Sequence, residues 1–416
     1  MALIVQKFGG SLLSSLKKIR QVAKLIAQNK QAGNQIVVVV SAMGDETDEL
    51  IELASKLSPQ PPKRELDMLL TAGERKSLAL LAIALDRLGY EAVSLTGSQV
   101  GILTDDNHTD ARIIRIKGFR LKEALGLGKI PIVAGFQGMS QSREITTLGR
   151  GGSDITAVAL AAWLKANVVE LYKDVDGIFT EDPKEFPAVK HIAKISYDEM
   201  SELTRAGSQV LQPRACALAA KYNLNLNIKS MTGKGTIVTD NKILEKPVVR
   251  AITHSKNLCR FSLIKVPQQK STAVPIAQAV SKLAQAKIPF VFFAHGVPVQ
   301  NHFDLSFIIP KSAYSEAERV LSKIKTKLDA KELFIQKNLG SVSLIGAGIG
   351  SNPQTIAILF KTLQQLGIHV DAFSTAESRI TCYFHQKDLK RAIEHLLDRF
   401  RLNDLNLLSS SKSSRK

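Results

Sequence analysis

Short apolar runs rich in β-branched residues alternate with longer helical patterns through the first half of the chain. These patterns predict strands at 3–6, 36–40, 92–95, 130–134, 168–172 and 224–229, and helices at 16–29, 64–88, 154–165 and 197–222. Strands separated by helices indicate βαβ crossovers, and therefore an α/β fold with a largely parallel sheet covered by helices on both faces. Ligands bind beyond the carboxyl ends of the strands in such sheets, so the turns after the strands are the candidate functional segments.

The pattern changes after residue 247. Residues 258–336 predict the order βαββαβ, and a second copy begins at residue 341, which indicates a tandem repeat of ferredoxin-like α+β units. The end of the chain is mostly Ser, Lys and Arg, which is typical of a disordered tail. We therefore predict a first domain at 1–247, ferredoxin-like domains at 248–338 and 339–403, and a tail at 404–416.

The charge balance points to an anionic partner. The 416 residues include 56 Lys plus Arg against 38 Asp plus Glu, a formal net charge of +18. Such a balance is typical of proteins that bind nucleic acid, an anionic membrane or a phosphorylated small molecule. No helix-turn-helix, zinc-finger or RNP signature supports a nucleic-acid partner, and no apolar run approaches the roughly 18 residues of a membrane span. We expect a phosphorylated small molecule.

Cysteine usage predicts the compartment. Cys216, Cys259 and Cys382 are far apart in the sequence and form no CxxC pair, so neither a disulfide framework nor a zinc site is indicated. The first residues lack the basic segment and long apolar run of a signal peptide. We expect reduced thiols in a cytoplasmic protein.

Two glycine-rich turns follow predicted strands. Lys7-Phe8-Gly9-Gly10-Ser11 separates a strand from a helix, where glycines let backbone N–H groups approach a phosphate and Lys7 supplies a mobile positive charge. It is not a Walker A sequence, and a plain tight turn with a solvated lysine is the alternative. The second turn, 147–154, reads TLGRGGSD and predicts Ser153 or Asp154 as a helix N-cap. Capping alone does not explain the Arg-Gly-Gly at 150–152.

Three further clusters belong at the same edge of the sheet. Ser41, with Thr47 soon after it, follows the strand at 36–40. Thr71-Ala72-Gly73-Glu74 is interpreted as opening a helix, where Glu74 could simply be a partner of the helix dipole. Lys173-Asp174 follows the strand at 168–172, and the Asp176-Gly177 after it is also typical of an ordinary turn.

These segments together resemble the aspartate kinase family, whose members combine an amino-acid-kinase fold with C-terminal ACT domains. The resemblance lies in KFGGS, VSAMGDETDEL, LLTAGER, GFQG, TTLGRGGSDITAVALAA and DVDGIFTEDP, in this order, and covers residues 2 to about 240. It implies a catalytic domain at 1–247 and two ACT domains after it. The implied reaction converts ATP and L-aspartate to ADP and 4-phospho-L-aspartate, the first step of lysine, threonine and methionine biosynthesis.

The resemblance also implies roles for individual residues. Lys7 would stabilise the transferring phosphoryl group, Asp154 would orient Lys7, and Ser153 would lie between the two substrates. The residues implied in ATP binding are Lys7, Phe8, Gly9, Gly10, Ser41, Ser153, Lys173, Asp174, Phe179, Thr180, Glu181, Asp182, Pro183, Lys184 and Gln209. Those implied in aspartate binding are Thr47, Glu74, Arg150, Gly151, Gly152 and Ser153. Mg²⁺ is expected on the nucleotide, held by phosphates and water rather than by protein ligands.

Two departures from the family pattern have consequences. Gln209 and Gln212 stand where the family usually has a lysine and a histidine, so one cation near ATP is absent. A catalytically weakened amino-acid sensor or scaffold is therefore the alternative function. In the first ACT domain, residues 265–270 and 288–295 lack the polar effector-binding pattern. We predict ACT domains that serve mainly in assembly, as a dimer, with weak or altered feedback by lysine or threonine.

Overall fold

The computed structural model describes residues 1–208, 210–240, 248–268 and 271–404. The chain divides into two compact units, the first formed by Met1–Phe179 with His191–Leu244 and the second by Thr180–Lys190 with Glu245–Lys416. Gln209 and most of the predicted tail lie outside the described residues. Within the described ranges, none of the helices combines the length and the apolar character that crossing a bilayer requires.

The first unit is an α/β unit, as the alternating pattern predicts. Its strands are β1 (Leu3–Phe8), β2 (Gln35–Val40), β3 (Ala92–Leu95), β4 (Ile102–Thr104), β5 (Ile113–Ile116), β6 (Ile130–Ala134), β7 (Gln137–Ser140), β8 (Ile145–Thr147), β9 (Val168–Tyr172), β10 (Ile178–Phe179), β11 (His191–Ile192), β12 (Lys194–Ser196), β13 (Leu226–Lys229) and β14 (Thr236–Thr239). Its helices are α1 (Leu16–Gln31), α2 (Glu46–Leu57), α3 (Lys63–Asp86), α4 (Gly97–Val100), α5 (Phe119–Gly126), α6 (Gly152–Leu164), α7 (Tyr197–Ala206) and α8 (Pro213–Lys221).

The main sheet of this unit has the order β12-β14-β13-β9-β1-β2-β6-β3. All its neighbouring pairs are parallel except β13 with β14. β1 lies in the middle, and its last two residues pair with the ends of β2 and β9. The carboxyl ends of three strands therefore meet around the Lys7 turn, because parallel strands end at the same edge of a sheet.

A second, smaller sheet, in the order β5-β4-β7-β8, supports the other glycine-rich turn. β8 ends at Thr147, so Leu148 is the first residue of the turn to leave the sheet, and β7 pairs with β8 in antiparallel register. A hydrogen bond of 2.6 Å between the buried hydroxyl groups of Thr104 and Thr146 joins β4 to β8. The turn thus begins from a fixed strand end.

Two predicted helix boundaries are wrong. Thr71–Glu74 does not open a helix but lies in the middle of α3, where glycine is needed at position 73 because a β-carbon there would lie 2.7 Å from the β-carbon of Ala42. The helix predicted at 197–222 is two helices, since α7 ends at Ala206 and α8 begins at Pro213. Helix α7 ends before Gly207 because glycine readily adopts a positive φ. Helix α8 begins at Pro213 because proline suits the first position of a helix.

The second unit contains one antiparallel sheet with the order β16-β17-β15-β18-β20-β19. Its strands are β15 (Ala251–Pro267), β16 (Phe292–His295), β17 (His302–Pro310), β18 (Glu332–Ile345), β19 (Ala372–Ala376) and β20 (Arg379–His385). Its helices are α9 (Ala273–Gln285), α10 (Tyr314–Lys327), α11 (Pro353–Gln365) and α12 (Leu389–Arg399). Helices α9 and α10 pack on one face of β15 and β17 around Phe261, Leu305 and Phe307.

The two ferredoxin-like copies are interlocked rather than consecutive. The start of β15, from Ala251 to Ser255, pairs with residues 341–345 of β18, and so supplies the fourth strand of the second copy. Residues 332–336 of β18 pair with the far end of β15 and complete the first copy. The prediction that the first copy ends at residue 336 and the second begins at residue 341 did not anticipate that β15 and β18 each run through both copies.

Candidate active site

The Lys7 turn is held between the ends of two neighbouring strands. The Gly9 N–H donates to the Tyr172 carbonyl at the end of β9 (3.1 Å), and the Gly44 N–H donates to the Gly10 carbonyl (2.9 Å). A β-carbon at Gly10 would lie 2.8 Å from the carbonyl oxygens of both Ala42 and Gly44, closer than backbone atoms permit. Glycine is therefore required at position 10 by the approach of the chain after β2.

Asp154 joins two lysines from different strands at this turn. Its Oδ1 lies 2.9 Å from Lys7 Nζ and its Oδ2 lies 2.8 Å from Lys173 Nζ. The side chains of Asp154 and Lys7 are 3% and 8% exposed, so both charges are largely removed from water. The carboxylate compensates two ammonium groups, which leaves a net positive charge at the point where the glycine turn presents its backbone.

Burial and neighbouring charges shift the pKa values of Asp154 and Lys7. Burial opposes ionisation of Asp154, but Lys173 and Lys7 outweigh it and hold the pKa of the carboxyl well below its usual range. Burial lowers the pKa of Lys7, and the attraction of Asp154 offsets only part of this. The ion pair is thus strongly coupled, and removal of Asp154 would leave two buried cations without compensation.

The second glycine-rich turn delivers Asp154 to the cluster. Gly149 and Gly151 have φ of +79° and +72°, and α6 begins at Gly152, so Ser153 and Asp154 both lie buried in its first turn. The prediction that one of them is the N-cap is wrong, because Gly151 occupies that position and no side chain caps the helix. The Asp154 carboxylate is therefore free of a capping role and pairs with the lysines instead.

Glu74 forms a separate buried site on α3. Its Oε1 accepts a hydrogen bond from the Ala42 N–H (3.2 Å), just after β2, and the residue is 2% exposed. Burial raises the pKa of Glu74 to about 7, although the Ala42 N–H opposes the shift. Its Oε2 is buried with no hydrogen-bond partner in the described part of the chain. A carboxylate in this state can receive a donor from a ligand.

The remaining predicted residues differ in exposure. Ser41 and Thr47 are half-buried, at the end of β2 and in the first turn of α2. The Arg150 side chain is 94% exposed, and its guanidinium lies 3.8 Å from the Asp48 carboxylate, too far and too solvated to fix it. Arg150 therefore has the freedom to turn towards a ligand.

The predicted nucleotide-binding segment is divided between the units. Lys173, Asp174 and Phe179 belong to the first unit, whereas Thr180, Glu181, Asp182, Pro183 and Lys184 belong to the second. Gln212, the residue that stands where the family usually has a histidine, has a structural role. Its Oε1 accepts hydrogen bonds from the N–H groups of Arg214 and Ala215 at the start of α8. It thereby takes the N-cap position of that helix.

The comparisons with known proteins agree with this geometry. The pattern of the amino acid kinase family matches residues 2–230, more than half of the chain, and that of the ACT domain matches residues 342–400. The aspartokinase of Mycolicibacterium smegmatis is 41% identical over 408 residues, which cover 97% of each chain. The chain belongs to the aspartokinase family.

Other aspartokinases extend the likeness to solved structures. The aspartate kinase of Pseudomonas putida is 37% identical over 97% of this chain and 98% of its own. The crystal structure of aspartate kinase from Synechocystis is 36% identical, with a TM-score of 0.54 over 97% of this chain and 70% of its own. E. coli aspartokinase III, solved with aspartate and ADP, has a TM-score of 0.78 at 20% identity, over 95% of this chain and 99% of its own, and shows the fold.

Several residues that support the candidate site were not predicted from the sequence. Glu170 accepts from Gln6 Nε2 (2.8 Å), from the Tyr172 hydroxyl (2.9 Å) and from Lys229 Nζ (2.6 Å). The Tyr172 ring stacks on Phe8 with centroids 4.8 Å apart. These contacts fix Tyr172, whose carbonyl holds Gly9. The only sequence signals were Gln6 in β1 and Glu170 in β9, each a polar residue within a largely apolar strand.

Proposed function

We propose that this protein is an aspartate kinase that transfers the γ-phosphoryl group of ATP to the side-chain carboxylate of L-aspartate. The observation that carries the proposal is the buried Lys7–Asp154–Lys173 cluster beside a glycine turn that the Tyr172 carbonyl holds at the carboxyl ends of the strands. An oxygen of the aspartate carboxylate attacks the γ-phosphorus, the bond to the β–γ bridging oxygen breaks, and ADP leaves with that oxygen. The products are ADP and 4-phospho-L-aspartate.

This chemistry needs positioning and charge compensation rather than a base. A carboxylate is already ionised at neutral pH, so no proton must be removed before attack. The transferring group carries negative charge that Lys7 and Lys173 can compensate, in a site with little water. Asp154 holds the two ammonium groups in place, so that they do not have to reorganise during transfer.

The predicted substrate residues complete the proposal. Glu74, with its unpartnered carboxylate oxygen, would receive the ammonium group of aspartate, and Thr47 would bind near it. The mobile Arg150 would bind a carboxylate of aspartate, and Gly151, Gly152 and Ser153 would line the space next to it. Phe8, Gly9, Gly10, Ser41 and Asp174 would surround the ATP phosphates, with Phe179 and the segment 180–184 on the nucleotide side.

Magnesium is proposed as part of the nucleotide. Both oxygens of Asp154 are engaged by lysines, and the described residues contain no group of three or more His, Cys, Asp or Glu side chains arranged to hold a metal ion. The residues therefore fit Mg²⁺ held by phosphates and water better than Mg²⁺ in a protein cage. Bound in this way, the ion neutralises phosphate charge.

The test is a coupled assay of ADP release with L-aspartate, with L-glutamate and with no acceptor. Hydroxylamine added to the same reactions would trap the acyl phosphate as a hydroxamate. We expect aspartate-dependent ADP release that Lys7→Ala abolishes and that the exposed matched control Lys17→Ala leaves unchanged. ATP turnover that does not depend on aspartate, or no turnover at all, would contradict the proposal and favour the sensor or scaffold alternative.

Cellular context is proposed on separate grounds. The three cysteines are free and buried, which supports a reducing, cytoplasmic location. We also propose a homo-oligomer, a dimer through the ACT domains, because β16 and β19 are edge strands of the sheet in the second unit. Analytical ultracentrifugation at several protein concentrations would test this, and a monomer at every concentration would contradict it.

A further inference from the structure

Helix α3 carries a second buried carboxylate, which none of the proposed roles uses. Asp67 is 0% exposed and lies seven residues before Glu74 on the same helix. Seven residues are two helical turns, so both side chains leave the same side of α3, about 10 Å apart along its axis. Helix α3 thus carries both Glu74, which is proposed to bind the ammonium group of aspartate, and a second buried carboxylate.

Asp67 binds the strand end from which the second glycine-rich turn starts. The Thr147 hydroxyl donates to Asp67 Oδ1 (2.6 Å), and the Thr109 N–H lies 3.1 Å from each carboxylate oxygen. His108 Nδ1 lies 2.7 Å from Oδ2. All of these groups come from outside α3. The carboxylate therefore joins the helix to two chain segments at a single buried point.

Those two segments also contact each other at the turn. The Ala111 N–H donates to the Thr147 carbonyl (2.9 Å), and a β-carbon at Gly149 would lie 2.9 Å from Asp110 Oδ1 and 3.3 Å from the Thr109 carbonyl. The loop around Thr109 is thus the surface against which Gly149 turns. Asp67 holds this loop and Thr147 together, two residues before Gly149 and three before Arg150.

We propose that Asp67 is a positioning residue that sets the distance between Glu74 and the turn bearing Arg150, and thereby the length of acceptor the site accepts. The proposal rests on the proposed function, in which Glu74 receives the ammonium group and Arg150 a carboxylate of aspartate, so that the distance between them fixes where the side chain of the acceptor lies. Aspartate and glutamate differ by one methylene group, so a small movement of the turn relative to α3 changes which of them fits. A displacement of about 1 Å can cost on the order of 100-fold in rate.

Two variants test this from both ends of the contact. Asp67→Asn keeps the shape but replaces one acceptor oxygen with a donor, so it cannot accept from all three partners. Thr147→Val keeps the β-branched shape and removes only the hydroxyl group, which makes it the milder change. The matched control is Asp86→Asn, an exposed carboxylate at the end of the same helix.

The measurement is kcat and KM for aspartate, glutamate and ATP in the full-length enzyme, with a thermal unfolding curve for each variant. We expect both variants to raise KM for aspartate about tenfold and to lower the preference of kcat/KM for aspartate over glutamate by a similar factor. KM for ATP should change less than about twofold. If Asp67→Asn does not fold, Thr147→Val alone carries the test.

The outcomes separate this proposal from the function on which it rests. A wild-type enzyme without aspartate-dependent turnover refutes the proposed function and this inference together. Wild-type turnover with an unchanged ratio of aspartate to glutamate in folded Thr147→Val refutes only the positioning role. A parallel loss for both acceptors and for ATP would indicate a general structural defect and would also refute it.

Discussion

The proposed contact of Glu74 with the ammonium group of aspartate makes the binding of aspartate dependent on pH near neutrality. Its pKa is raised to about 7 by burial, so its ionised fraction falls from about ten in eleven at pH 8 to about one in eleven at pH 6. Only the ionised carboxylate can pair with the ammonium group of aspartate. We therefore expect kcat/KM for aspartate, measured at saturating ATP, to fall about tenfold between pH 8 and pH 6.

The stability of the protein should move in the opposite direction. Because the folded pKa of Glu74 lies above the unfolded value of 4.5, the folded state binds more protons between about pH 4.5 and 7. The contribution of Glu74 to the free energy of unfolding is therefore fully present below pH 4.5 and is lost as the pH rises towards 7, by about 3 kcal/mol in total. Activity lost at pH 6 cannot then be attributed to Glu74-driven unfolding.

The assay is initial-rate ADP release at aspartate concentrations well below KM, at half-unit steps from pH 6 to pH 8. Glu74→Gln is the control, because an amide does not titrate: its kcat/KM should be low and independent of pH over this range. A wild-type profile that is flat, or a Glu74→Gln profile with the same slope as wild type, would refute the assignment of this titration to Glu74.

Three other substitutions or additions have defined outcomes. Asp154→Asn should lower kcat at least about 100-fold, because Lys7 and Lys173 lose the group that orients them, and circular dichroism would verify that the variant folds. Gly10→Ala should raise KM for ATP at least tenfold through its contacts with two backbone carbonyls, whereas Gly126→Ala, with open space around it, should leave KM unchanged; equal kinetics would contradict the packing argument. Lysine and threonine, titrated into the ADP-release assay, should produce no strong inhibition at sub-millimolar concentration, and saturable inhibition there would overturn the expectation from the altered first ACT domain.

The sequence predicts the first unit better than the second because of the kind of contact involved. Parallel strands with buried faces are continuous apolar runs, so β1, β2, β6 and β9 were found at nearly their observed positions. The interlocking of β15 and β18 could not be found in the same way. It depends on which strands pair across the chain, and a local pattern does not encode pairing partners.

The same limit applies to the site. Lys7, Asp154 and Lys173 were predicted because glycine turns and adjacent charges are local signals, and the structure joins them. The interpretation of Glu74 as a residue at a helix start failed because Gly73 resembles a helix boundary, whereas glycine is needed there to leave room for the methyl group of Ala42, 31 residues earlier. The role of Asp67 was invisible for a similar reason, since its partners lie about 40 and 80 residues away in sequence.

The segment Thr180–Lys190 affects both the folding of this protein during translation and the choice of a position at which to divide the chain. The Thr180 hydroxyl donates to the Leu402 carbonyl, the Ile252 N–H donates to the Thr180 carbonyl, and Glu181 lies beside His254, so the partners of this segment are synthesised long after it. During translation this segment, which is continuous in sequence with the first unit on both sides, cannot complete its contacts until residue 402 has left the ribosome. A chain divided near residue 247 would therefore leave the eleven residues 180–190 in the N-terminal fragment, separated from the C-terminal residues against which they fold. An exchange of C-terminal units between relatives therefore has to include this segment.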